Sequence, residues 1–179
     1  MKTAPTATGR YVLHVGQPTS VGAFDAANWN VFAEWAAAHV DEVLLFYSPR
    51  GAVESVISQS GLRGSEESFP DSDAQLRGMR FSSRDNDLGV LLRRVPFDPE
   101  RGVTHMMCSR EGQLVASLEV EDGTNFVVLD LPEAVATALA QQLDSPVENV
   151  RLCEESRGYI SRIVAEGAPW LPLGQRLIG

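Results

Sequence analysis

Residues 103–131 read VTHMMCSREGQLVASLEVEDGTNFVVLDL, and this stretch decides the fold. Three runs rich in apolar and β-branched residues, Val103 to Ser109, Leu114 to Glu121 and Phe126 to Leu131, are separated by Glu111-Gly112 and Asp122-Gly123. An Asp-Gly pair between such runs signals a hairpin, because a type I′ turn needs two residues that tolerate positive φ. With Asp122-Gly123 as a two-residue turn, Val120 faces Asn125, Leu118 faces Val127, Ala116 faces Leu129 and Leu114 faces Leu131. One face of the pair is then apolar. The other carries Ser117, Glu119 and Glu121 among Phe126, Val128 and Asp130, as a meander wetted on one face requires. In the Glu111-Gly112 register His105 opposes Leu118 on the apolar face.

Beyond the meander, Asp130 followed by Glu133 resembles a capping box, Pro132 suits a first turn, and Val135, Leu139 and Leu143 give a helix from Glu133 to Leu143 its buried stripe. That helix covers the apolar face of the meander. Val147 to Cys153 reads as a further strand, and Ser156 caps a helix to about Ala165 that Gly167 and Pro169 terminate. The tail from Trp170 to Ile178 is too apolar to stay in water, which points to a homo-oligomer or to a subunit of a larger assembly.

Towards the N-terminus, residues 1–9 read as a disordered start. Arg10 to Val15 fits a short strand, and Gly16 to Ala27 a loop. Asn28 to Val40 is a helix, with Trp29, Phe32, Ala33, Ala36 and Val40 at offsets 0, 3, 4, 7 and 11. Val43 to Tyr47 is a continuous apolar run of strand length, fit for burial on both faces. Strand, helix and buried strand together suggest a parallel βαβ crossover. Ser58 to Asp73 is polar and small, a long loop or linker. Short helices follow over Asp73 to Gly78 and Asp87 to Val95. The expected fold class is α+β, a mixed sheet with an N-terminal βαβ-like unit and a C-terminal antiparallel meander covered by helices. Residues 10–179 form a single domain or two subdomains split near 58–80.

Leu91-Leu92-Arg93-Arg94-Val95-Pro96, Gly102-Val103-Thr104-His105 and Ser109-Arg110-Glu111-Gly112-Gln113-Leu114-Val115 resemble the helix-to-hairpin opening of Roadblock-type regulatory domains. The likeness covers about 30 residues and contains no functional-site motif. That family passes from hairpin to helix, whereas a third strand is expected here, so no residue role is carried over.

The chain has 179 residues, with 15 Lys and Arg against 24 Asp and Glu, a net charge of −9. Residues 111–155 hold ten acids and one base, Arg151, and the remaining residues sum to zero. One structural unit therefore generates the whole monopole field, and such a field selects a basic partner and disfavours duplex nucleic acid. Glu119, Glu121, Asp122, Glu154 and Glu155 are the candidate partner-binding residues. The leading expectation is a non-catalytic regulatory or inhibitor-like interaction module that presents this acidic face to a basic protein.

Two cysteines, Cys108 and Cys153, are too few for a disulfide framework and lack zinc-site spacing. A reducing, cytoplasmic location follows, and no apolar run is long enough for a signal peptide or a membrane span. His14, His39 and His105 lie in separate elements, so no local spacing supports a metal. Cys108 and His105, three apart in one strand, point to opposite faces and cannot pair as nucleophile and base. No nucleophile elbow, phosphate-binding loop, dinucleotide fingerprint or zinc-protease motif is present, and no cofactor is implied. The enzyme or ligand-binding alternative rests on two polar loops, residues 16–20 and 48–51, which emerge together if the first two strands are parallel neighbours. Arg50 would then hold a small anion while Thr19, Ser20 and Ser48 donate to it.

Overall fold

A computed structural model of the chain describes residues 8–14, 26–69, 75–121, 124–143 and 151–152. In chain order these form β1 (Thr8–His14), α1 (Ala26–His39), β2 (Glu42–Tyr47), α2 (Val53–Gln59), β3 (Gly64–Ser68), β4 (Arg77–Ser82) and α3 (Leu88–Arg94). A 3₁₀ turn (Pro99–Arg101), β5 (Val103–Arg110), β6 (Gln113–Glu121), β7 (Thr124–Pro132), α4 (Glu133–Gln142) and β8 (Arg151–Leu152) follow. The fold is α+β. Among the described residues eight strands make one sheet in the order β3-β4-β2-β5-β6-β7-β1-β8.

Ala116 pairs with Leu129, Leu118 with Val127 and Val120 with Asn125, the pairing that a two-residue Asp-Gly turn dictates. The β5–β6 pair differs by one residue. Arg110 opposes Gln113 around a turn whose Glu111 and Gly112 have φ of 51° and 76°, but Ser109 opposes Leu114 while Cys108 opposes Ala116. Val115 is the extra residue of a β-bulge. Because side chains alternate along a strand, this single insertion moves His105 to oppose Glu119 rather than Leu118, and to the other face of the sheet.

The mixed sheet with a parallel crossover does not form. β2 has antiparallel partners on both edges, β4 and β5, and β1 lies antiparallel between β7 and β8. The crossover expectation assumed that consecutive strands become neighbours. Antiparallel strands distant in sequence, β4 and β5, take both edges of β2 instead, and the meander ends on β7, whose free edge receives β1. The polar stretch read as a loop over 58–73 contains the end of α2 and all of β3, and the short helix expected over Asp73 to Gly78 is replaced by β4 from Arg77. β3 and β4 are thereby continuous with the sheet through β2.

α1 agrees with its stripe: Trp29, Phe32, Ala33, Trp35 and Ala36 are buried, so Trp35 widens the core face rather than forming a second one. Trp29 donates through Nε1 to the Leu92 carbonyl at 2.7 Å, which fastens α1 to α3. Asp87 caps α3 by accepting from the Val90 amide. α4 starts at Glu133 with Pro132 as its N-cap and no side-chain cap; Asp130 is in β7 opposite Arg10, so the capping box is not made. Ala136, Leu139, Ala140 and Leu143 are its buried positions, and it packs on β1 and β7. The strand expected over 147–153 is described only at β8. The 156–165 helix and the 170–178 tail lie outside the described residues. Of the start over 1–9 expected to be disordered, Thr8 and Gly9 instead open β1, paired with Pro132 and Leu131, and residues 1–7 lie outside the described residues.

The helices pack on one face over Val43, Leu45, Tyr47, Phe81, Met106, Cys108 and Leu118. The other face has its own apolar centre, Leu44, Phe46, Met107 and Leu114, with Phe69 and Leu76 against it. β2 is thus buried on both faces, as its unbroken apolar run requires. Gly78 sits opposite Phe46 on this second face. A Cβ there would lie 2.5 Å from the Glu67 carbonyl oxygen and 2.6 Å from Phe46 Cε1. Gly78→Ala is therefore expected to cost about 1–3 kcal/mol by pushing β3 off the sheet edge. Chemical denaturation reads the cost, and amide exchange over residues 64–68 should accelerate if β3 is the element displaced.

Candidate functional site

The 48–51 loop is a tied turn. Ser48 donates its amide to the Gly102 carbonyl at 2.8 Å, the Gly51 amide donates to the Ser48 carbonyl at 3.1 Å, and the Ser48 hydroxyl accepts from the Arg50 amide at 3.4 Å. Arg50 is exposed. Thr19 and Ser20 lie outside the described residues. β1 and β2 run in the same direction, but β5, β6 and β7 stand between them, so their ends are about four strand spacings, roughly 19 Å, apart. The neighbourhood on which a shared anion site depended is not provided by the sheet.

The groups with chemical potential lie on opposite faces, Cys108 buried and His105 half-buried. Cys108 is fully buried beneath the helices, and desolvation pushes its thiol up to about 12. His105 lies on the other face, hydrogen-bonded through Nδ1 to the Thr104 hydroxyl at 2.9 Å, with the Phe69 ring 5.3 Å and the Phe46 ring 6.3 Å from its own. Burial pushes its pKa down to about 4, so the imidazole is neutral at pH 7. His105 belongs to a transverse row that runs Gly78, Phe46, His105, Glu119, Phe126, His14 across six strands. Among the described residues no three His, Cys, Asp or Glu side chains gather as a metal site.

Glu119 corrects the expected acidic face. It is only 5% exposed, because the bulge at Val115 pairs it with His105 beside the second apolar centre, and it does not face solvent. Glu121 ends β6 in register with Thr124. Asp122, Glu154 and Glu155 lie outside the described residues. Glu111 and Glu133 are exposed.

Charge is distributed unequally along the sheet. At the β3-β4-β2 end, Arg77 is bonded by Glu54 and Glu66, and Arg80 by Glu42 and Glu67. Arg77 and Arg80 are three apart on β4, so these two clusters occupy opposite faces. Four carboxylates there are held by two guanidinium groups. At the β6-β7-β1-β8 end the described residues carry Glu111, Glu119, Glu121, Asp130 and Glu133 against Arg10 and Arg151, an excess of −3, and the sequence of residues 111–155 as a whole carries −9.

The described residues line two concavities of note. An open groove of about 300 Å³ at the sheet edge is lined by residues including Glu66, Glu67 and Arg77, whose charges already bond one another or Arg80. A smaller, half-enclosed cavity of about 110 Å³ is floored by Val53, Val56, Val95 and Val103 and rimmed by Arg94 and Arg101. Sequence reasoning missed this second site. Arg94 and Arg101 flank the Val95-Pro96-Phe97 step, which is a visible signal, but the floor needs α2, whose seven residues are too few to announce a helix on their own. No protein-family model, curated protein or solved structure matches the chain.

Proposed function

We propose that the protein is a non-catalytic interaction module of the cytoplasm that presents the β6-β7-β8 end of its sheet, with α4, to a basic protein partner. The observation that carries this reading is the concentration of charge along the chain, since residues 111–155 carry −9 while the remaining residues sum to zero and four carboxylates at the β3-β4-β2 end are bonded by Arg77 and Arg80. A field concentrated in this way steers association and selects the sign of the partner. Among the described residues Cys108 and His105 are kept on opposite faces of the sheet and neutral by burial, which also supports it. No helix among the described residues is long and apolar enough to cross a membrane.

The test compares the chain with a variant carrying Glu111→Gln, Glu121→Gln, Asp122→Asn and Glu133→Gln, which moves the net charge from −9 to −5. Affinity capture from a cytoplasmic extract at about 0.15 M salt should recover basic proteins with the parent chain. The same proteins should be lost with the variant, and lost again at about 1 M salt, where the screening length falls to about 3 Å. The association rate of a recovered partner should drop by about tenfold or more in the variant. Equal recovery by both chains, or recovery indifferent to salt, overturns the proposal.

A further inference from the structure

The small cavity between α2, the end of α3 and the start of β5 differs from the open groove at the sheet edge. Its floor is aliphatic, and the two side chains at its mouth are both cations in a chain of net charge −9. Arg94 at the end of α3 is accounted for by the helix dipole. Arg101 is not: its side chain is 80% exposed and meets Asp98 through Nε at 3.3 Å, a weak surface pair that leaves the end of the guanidinium free to turn. Arg94 is exposed and makes no ion pair among the described residues.

Size and polarity together define what would fit. An aliphatic cavity of about 150 Å³ accepts benzene, so one of about 110 Å³ takes a branched group of roughly four or five carbons. The floor offers no side-chain hydrogen-bonding group, so any polar part of an occupant must sit at the mouth. There the two guanidinium groups favour a planar anion with paired oxygens over a neutral or cationic head. We propose that this cavity is a binding site for a short branched aliphatic carboxylate, its hydrocarbon among the four valines and its carboxylate at Arg94 and Arg101. The site lies on elements outside the acidic 111–155 unit and does not depend on the partner reading above.

Titration of the full chain with 3-methylbutanoate, 3-methylbutan-1-ol and 3-methylbutan-1-amine, followed by ¹H–¹⁵N NMR, tests it. The carboxylate should give saturable shifts at the amides of Val53, Val56 and Val103 in the millimolar range. The alcohol should bind about fivefold more weakly, the worth of one exposed ion pair, and the amine should give no saturable shift. Arg94→Gln combined with Arg101→Gln should lower carboxylate affinity to that of the alcohol while the chain stays folded, the melting temperature falling only by the few degrees that a helix-end charge and a weak surface pair are worth. Val56→Phe should fill the floor and abolish binding of both. Carboxylate and alcohol binding equally, shifts that stay linear with concentration, or a carboxylate affinity unchanged in the double Gln variant would each overturn the site.

Discussion

Phe46→Ala is expected to destabilise the protein by about 3–5 kcal/mol, the range for an enclosed aromatic ring cut back to a methyl group. Phe46 has no exposed surface, and its backbone is held on both sides by β4 and β5, so the strand cannot move inward to fill the hole. Its ring closes the space above Gly78, meets the Phe69 ring edge-on at 4.9 Å and stands beside His105. Removing it therefore leaves a cavity and opens the flank of a half-buried imidazole. Urea denaturation should show the midpoint falling with an unchanged slope, and Phe46→Leu should recover more than half of the loss because it keeps most of the volume. A loss under about 1 kcal/mol for Phe46→Ala would mean that water or neighbouring side chains already fill the space.

The second apolar face that Phe46 anchors shows what the sequence could and could not reveal. The unbroken run Val43 to Tyr47 announces burial on both sides, and it is buried on both sides. Asp122-Gly123 sets the β6–β7 register because a two-residue turn leaves the pairing no freedom. What fails is anything decided at long range. Val115 is an ordinary apolar residue in an apolar strand, so nothing local marks it as the bulge that sends His105 and Glu119 to the same buried face. β1 looks the same whether it lies beside β2 or beside β7, and only the free edge left by the meander decides. β3, with the sequence GSEES, has the composition of a loop. It becomes a strand because Arg77 and Arg80 on β4 bond Glu66 and Glu67, a partnership that requires the two segments to be seen side by side. The carboxylate cavity was hidden for the same reason, since Val53 and Val56 reach it only once α2 has folded against β5 and the end of α3.

Between pH 7 and pH 4 the chain should lose about 3 kcal/mol of stability that a His105→Gln variant does not lose. The cause is the environment that the bulge creates. Burial between Phe46 and Phe69 disfavours the imidazolium and holds His105 near a pKa of about 4, against an ordinary 6.5. The unfolded chain binds the proton as pH falls through 6.5, while the folded chain refuses it until about 4, so the unfolded state is favoured across that window. A separation of about 2.5 pKa units at about 1.36 kcal/mol each sets the ceiling at roughly 3.4 kcal/mol, reached only below pH 4. Above about pH 7.5, where the imidazole is neutral in both states, the histidine contributes no pH dependence. Acidic side chains elsewhere also lose stabilising interactions on acidification, and subtracting the His105→Gln curve from that of the parent chain removes their share. Glutamine suits the comparison because it stays uncharged and can still bond the Thr104 hydroxyl, which otherwise meets Nδ1 at 2.9 Å. The titration itself is read from the His105 Cε1 proton: a midpoint near 4 supports the linkage. A midpoint near 6.5, or parallel stability curves for the two chains, would show the ring to be hydrated and would remove the second face's claim to be a closed core.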